Sequence, residues 1–251
     1  MTPARNALDT PALVVDLDIM DANIARIAAA CRESGVRWRP HIKGVKTPEI
    51  ILRMLAAGAV GVTCAKLGEA ELMAAAGVRD ILIANQIVGA EKIARLIALL
   101  DRALTMVAVD SIANIDALSK AAVRAARELP VVIEVDIGTK RAGVSPGGAV
   151  AALADAIAAR PGLRLRGVMG WESHAIRIAD RAEKEQTVVE AVGLLSASAE
   201  ACRAAGHAID IVSCGGTGTF PWCIRQPGVT EVQIGGGIFS DRTYREEFHM
   251  D

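Results

Sequence analysis

Aromatic side chains are almost missing from this sequence: three Trp, three Phe and one Tyr make up 3% of its 251 residues. A core therefore has to be built from Ala, Val, Ile and Leu. That suits helices packed on buried parallel strands, where runs of β-branched residues are the rule. Hydrophobic residues reach 52% of the chain, well above what disorder tolerates, so a substantial core is expected. An excess of charge of either sign is missing too. The 28 basic and 29 acidic residues leave a net charge of −1, which offers no field for nucleic acid or an anionic membrane. No apolar run is long enough to span a bilayer, the stretch 93–100 included. Cysteine is sparse and unpaired in pattern. Cys31, Cys64, Cys202, Cys214 and Cys223 are odd in number and form no CxxC motif, which argues against a disulfide framework or structural zinc site and fits a reducing cytoplasm. No basic-then-apolar stretch at the N-terminus reads as a signal peptide. Linkers, low-complexity tracts and charge blocks that would mark a second domain are absent from the sequence.

What is present is an alternation. Short β-rich runs at 37–41, 59–63, 80–84, 104–109, 131–136, 164–169, 208–213 and 230–234 are separated by Ala- and Leu-rich helical patterns. The runs start about 20–30 residues apart, as βα units require, with one longer gap near 170–207. Helical patterns cover 18–34, 50–57, 68–76, 90–101, 111–128, 147–159 and 179–205, and Thr47-Pro48 places proline at a first helical position. Eight strands, each followed by a helix, predict an α/β protein with a (β/α)8 barrel; a doubly wound sheet alternates in the same way but rarely reaches eight units in so few residues. One further strand, 12–16, precedes the first helix and is left over.

In a barrel the chemistry gathers at the C-terminal ends of the strands. Polar and glycine residues cluster at those ends here. The first strand leads to His41 and Lys43, with Lys46 close behind, and an amine in that place is suited to form a Schiff base with a carbonyl. The bland alternative is a solvated surface lysine. The third strand leads to Asn85-Gln86, and the fifth to a loop carrying Arg141, placed for a cofactor ring or a substrate carboxylate. The sixth leads to Gly170-Trp171-Glu172-Ser173-His174, where Trp171 is a flat surface for a planar ring and His174 a near-neutral acid or base. The seventh gives Ser213-Cys214-Gly215-Gly216-Thr217-Gly218-Thr219 and the eighth Gly235-Gly236-Gly237. Loops after strands seven and eight are the usual phosphate site of such barrels. Either glycine loop alone is an ordinary turn; two neighbouring ones opposite a strand-end lysine point to pyridoxal 5'-phosphate. His207 reads as surface, and His249-Met250-Asp251 as a weak two-ligand metal fragment at the terminus.

These residues also carry a resemblance. Thr10-Pro11-Ala12-Leu13-Val14-Val15-Asp16, Arg39-Pro40-His41-Ile42-Lys43 with Lys46, and the segments 170–175, 213–219 and 231–241 follow one another as in the fold-type III pyridoxal-phosphate enzymes. Within these the chain is most similar to the group of D-threonine aldolases, 3-hydroxy-D-aspartate aldolases and D-serine dehydratases, across nearly its whole length. The resemblance implies a TIM-like barrel of the alanine racemase N-terminal type, with Lys43 holding the cofactor as an imine. It gives His41, Arg141, Trp171, Ser213, Gly216, Thr217, Gly218, Thr219, Gly235 and Gly236 to cofactor binding and an acid–base role to His174. It implies retro-aldol cleavage of D-3-hydroxy amino acids to glycine and an aldehyde, or dehydration of the same substrates, in a cytoplasmic homodimer. Two other readings are a protein that holds the cofactor without turnover and, less well supported, a racemase, whose second base would be a tyrosine where this chain has only Tyr244. Three departures stand out. Val45 stands where the family commonly has histidine, Trp171 where it has tyrosine, and the chain stops at Asp251, before the C-terminal β-domain that normally carries ligands for a divalent metal (Mn, Mg or Zn). The expected organisation is then a strand in 1–17 that pairs with that domain, the barrel in 18–235, and the start of the C-terminal segment in 236–251.

Overall fold

The computed structural model describes residues 7–239 and 242–248. Eight parallel strands form one sheet: β1 (Arg37–Trp38), β2 (Val62–Cys64), β3 (Asp80–Ile83), β4 (Leu104–Val109), β5 (Leu129–Glu134), β6 (Leu163–Met169), β7 (Ile211–Cys214) and β8 (Glu231–Val232). The strand order runs β1-β8-β7-β6-β5-β4-β3-β2. The two outer members of that list meet as well, because Val60 N–H donates to the Trp38 carbonyl, Thr63 N–H donates to the Pro40 carbonyl and His41 bridges to Thr63. The sheet is thereby closed on itself, and the expected barrel is present.

Seven longer helices wrap it: α1 (Leu17–Glu33), α2 (Pro48–Ala56), α3 (Leu67–Ala75), α4 (Ala90–Leu99), α5 (Ile112–Arg124), α6 (Gly148–Ala158) and α7 (Arg181–Ala204). Two short ones follow, α8 (Phe220–Cys223) and α9 (Arg242–Glu246). Local chemistry sets their limits. The Asp16 carboxylate accepts from the N–H groups of Asp18 and Ile19 at the start of α1, and Asp180 accepts from Glu183 N–H at the start of α7. Buried Ile93, Leu96 and Ile97 form the inward stripe of α4 at the helical spacing.

Alternation along the strands divides the core in two. Ile81, Ile83, Val107, Val109, Val131 and Ile133 face the helices in the large outer cluster, whereas Leu82, Met106, Ala108, Val132, Met169 and Ile211 form a separate inner cluster. The inner set comes from five successive strands and fills the barrel. Near the N-terminal ends of β3 and β8 lies a buried polar group. Arg39, 2% exposed, gives its Nε to Glu231 at 3.0 Å and its Nη1 to Asp80 at 2.6 Å.

Residues 12–16 pair with no strand among the described residues, and Leu13 is almost fully exposed; their expected partner is a C-terminal β-domain rather than the barrel. One expectation is corrected in detail. The strand read as 37–41 is interrupted after Trp38, since Pro40 has no N–H to contribute. His249, Met250 and Asp251 lie outside the described residues. None of the described helices is long and apolar enough to cross a membrane.

Candidate active site

The C-terminal ends of the strands surround a cleft of about 630 Å³. Immediately after β1 the chain tightens into a 3-10 turn, Ile42–Gly44, which carries Lys43. His41 caps the turn, its Nδ1 accepting from Lys43 N–H at 3.3 Å, while its own backbone N–H donates to the Gln233 carbonyl at 3.1 Å. Burial, reinforced by the charge of Lys43, pushes the His41 imidazole down to about 3, which leaves it neutral and able to accept.

The Lys43 side chain opens onto the cleft. Its Nζ lies 4.3 Å from the centroid of the Trp171 ring, and the Arg141 guanidinium carbon lies 5.1 Å from the same centroid. Partial burial lowers the Lys43 pKa, and the like charge of Arg141 lowers it further. Both effects enlarge the neutral fraction of the amine, the form that attacks a carbonyl. Arg141 stands 3.6 Å from Glu134 Oε1, and Gln86 Nε2 donates to Glu134 Oε2 at 2.6 Å. Burial raises the Glu134 pKa although Gln86 and Arg141 pull against it.

The glycine segments after β7 and β8 belong to the same cleft. A Cβ on Gly216 would stand 3.2 Å from Trp171 Nε1, and one on Gly236 would stand 3.1 Å from Thr217 Oγ1. One on Gly235 would come within 1.9 Å of the His41 carbonyl oxygen. The two segments thus lean on each other, on Trp171 and on the lysine turn, tightly at Gly216 and Gly236 and, at Gly235, at a separation that only glycine permits. Among the described residues, the N–H groups of Thr217 and Gly218 make no hydrogen bond. Unspent backbone donors on a glycine loop are the donor set a phosphate requires. An amine of lowered pKa and an anion-binding loop in one cleft therefore fit pyridoxal phosphate.

Of the residues named from sequence, His41, Lys43, Arg141, Trp171, Gly216, Thr217, Gly235 and Gly236 line this cleft. Gly218, Thr219 and Ser213 lie behind it. Ser213 is buried and its Oγ accepts from Gln233 Nε2 at 2.9 Å, so it positions a cleft residue rather than facing the cleft itself. His174 is exposed and packs against Gly138, where an added Cβ would sit 2.5 Å from its ring; it is not among the lining residues. Lys46 pairs with Glu69 at 3.1 Å instead of facing Lys43.

Glu134 and Gln233 line the cleft without having been singled out from sequence. Glu134 is embedded in the apolar run of β5, and its one signal was a carboxylate at a strand's C-terminal end. Glu172, Cys214 and Cys223 bring ligand-type atoms within 4.8 Å of one another beneath the β7 loop. The hydrogen bond from Cys223 pulls the Cys214 pKa down, but burial and the nearby Glu172 and Glu231 carboxylates leave it raised, and that of Cys223 is raised by its hydrogen bond to Cys214 and by burial. Two thiols and one carboxylate are a softer donor set than Mn or Mg prefer, and one of the kind that zinc accepts.

A closed eight-stranded barrel with a strand-end lysine facing two glycine loops defines the class: the pyridoxal-phosphate barrels of fold type III. Residues 15–243 match the alanine racemase N-terminal domain family, and the chain belongs to it. It is 37% identical over 237 residues to a D-threonine aldolase of an Arthrobacter species, covering 94% of this chain and 62% of that protein. To the D-threo-3-hydroxyaspartate dehydratase of Delftia sp. strain HT23 it is 36% identical over 242 residues, covering 95% of this chain and 63% of the relative. The crystal structure of a D-threonine aldolase from Filomicrobium marinum superposes with a TM-score of 0.93 at 36% identity, covering 96% of this chain and 65% of the other. The chain thus spans about 62% of the length of these curated relatives.

Proposed function

We propose that this chain binds pyridoxal phosphate and serves as a lyase that cleaves D-3-hydroxy amino acids to glycine and an aldehyde. The observation that carries the proposal is the convergence of Lys43, Trp171, Arg141 and Thr217 on one cleft, with the N–H groups of Thr217 and Gly218 unspent in the loop that borders it. The named activities of the relatives supply the substrate class.

When bound, pyridoxal phosphate supplies an electron sink for the carbanion that cleavage leaves at the substrate Cα. The chain's own residues do the rest. Lys43 contributes the nucleophilic amine. Thr217 and Gly218, with Gly216 and Gly236 giving close approach, hold the phosphate. Trp171 offers a flat wall at the glycine loop, and Arg141 brings a fixed positive charge for a carboxylate or a ring oxygen. Cleavage requires removal of a proton from the substrate β-hydroxyl. His174, one loop away from the lining, is the imidazole proposed for that step; unchanged turnover in His174→Asn would remove it from the reaction. A divalent metal, a homodimer and a cytoplasmic setting belong to the proposal through the family, with sedimentation and metal-dependence assays as their checks.

The test is incubation of the purified protein with pyridoxal phosphate and D-threonine or D-3-hydroxyaspartate, with and without manganese. Glycine plus an aldehyde supports the aldolase. Ammonia plus a keto acid assigns the dehydratase, the reaction named for the Delftia relative. Cofactor binding without consumption of either substrate would reduce the chain to a binding protein.

A further inference from the structure

We propose that Glu172 is a positioning residue that decides which N–H groups of the β7 glycine loop are left for an anion. The inference rests on the reading of that loop as the phosphate site. Glu172 follows Trp171 directly, so one residue faces the cleft while the next is turned under the loop, completely buried. Its Oε2 accepts from Gly215 N–H at 3.4 Å. Its Oε1 accepts from the Thr219 hydroxyl and, at 3.5 Å, from the Cys223 thiol. The Thr219 oxygen in turn accepts from Gly216 N–H at 3.1 Å. Two successive N–H groups, Gly215 and Gly216, are thus drawn inward by Glu172 and Thr219. The next two, Thr217 and Gly218, make no hydrogen bond among the described residues.

Packing alone does not call for a carboxylate here. Burying one is costly, and placing it behind an anion-binding loop adds repulsion. A glutamine would fill the same space. What distinguishes the two is donor count: each neighbour presents a hydrogen here (N–H, O–H and S–H), and a carboxylate accepts all three without turning a donor toward any of them. A glutamine would turn an NH2 group toward one of them and break the inward half of the loop's pattern. Thr219 relays that pattern because one hydroxyl donates to Glu172 while accepting from Gly216.

The test compares binding of pyridoxal phosphate with binding of pyridoxal, which lacks the phosphate, followed by quenching of tryptophan fluorescence. In wild type the phosphate-bearing ligand binds more tightly. In Glu172→Gln that preference falls by about tenfold or more, the scale of losing a well-placed hydrogen bond to a charged group, while pyridoxal affinity and the melting temperature stay near wild type. Thr219→Val reproduces the loss, and Thr219→Ser, which keeps the hydroxyl, restores the preference. An undiminished preference in Glu172→Gln overturns the proposal, as does equal weakening of both ligands. If Glu172→Gln fails to fold, the Thr219 pair decides: a preference retained in Thr219→Val overturns it, and one lost there but kept in Thr219→Ser supports it. A wild type that binds both ligands equally removes the phosphate-loop reading itself, and this proposal with it.

Discussion

The Lys43 amine stands 4.3 Å from the centre of the Trp171 ring, on a side chain that Arg141 also approaches. The aromatic face favours the charged amine, by about 0.5–1 kcal/mol at an exposed position. Burial and Arg141 nevertheless bring the net pKa shift downward. Lys43→Ala is expected to abolish the visible absorbance of the lysine-bound cofactor. Because the side chain opens onto the cleft, folding stability should stay within about 0.5 kcal/mol of wild type, read by denaturant titration.

His41 makes stability depend on acidity. Its folded-state pKa of about 3 lies below the ordinary histidine value of 6.5. The unfolded chain therefore binds the extra proton first, so stability is present above pH 6.5 and is lost as the pH falls from there toward 3. The slope in that window is at most about 1.4 kcal/mol per pH unit from this group. Melting temperatures between pH 7 and 4 should fall less steeply in His41→Asn than in wild type.

Arg39 holds two carboxylates, one of them fully buried. Arg39→Met would leave Glu231 charged and unpaired, at a cost of about 3–5 kcal/mol. Adding Glu231→Gln to that variant should recover part of the loss, and an additive double mutant measured by urea unfolding would contradict the pairing.

Two glycine substitutions should act in opposite directions. Gly235→Ala pushes a methyl group to within 1.9 Å of the His41 carbonyl, where backbone must move, and should destabilise by about 1–3 kcal/mol or more. Gly193→Ala lies inside α7 with nothing within 4 Å of the new methyl group and should stabilise by about 1 kcal/mol. Thermal melts of the two variants make the comparison.

The barrel was legible because its signals are local. Apolar strands such as β4, whose bounds match the expected 104–109, recur between helices with clear apolar stripes. Lys43 and the glycine loops were legible for the same reason, each lying next to a strand end. The register of the polar residues was not. Nothing in the sequence shows that Glu134 faces Arg141, that Ser213 is turned behind Gln233, or that Glu172 lies under the loop while its neighbour Trp171 lies over it. Those facts depend on contacts between loops of different strands. His174 shows the same limit: its packing against Gly138 is a contact between loops that no local signal announces. The segment 12–16 has strand composition, but composition does not supply a neighbour to bond to.

Arg39 and Glu231 lie 192 positions apart; Arg39 directly follows β1, which is hydrogen-bonded to the strand β8 that carries Glu231. The lysine turn takes its place from the same late strand, through Gln233 and the Gly235 contact with His41. A chain that lacks β8 keeps Lys43 but loses the contribution of Gly235 and Gly236 to the cleft. A ligand that needs both sides of the cleft binds the closed ring more tightly than the open one. Such a ligand stabilises the closed barrel as a whole, so ligand titration reads how much of the chain has closed its ring.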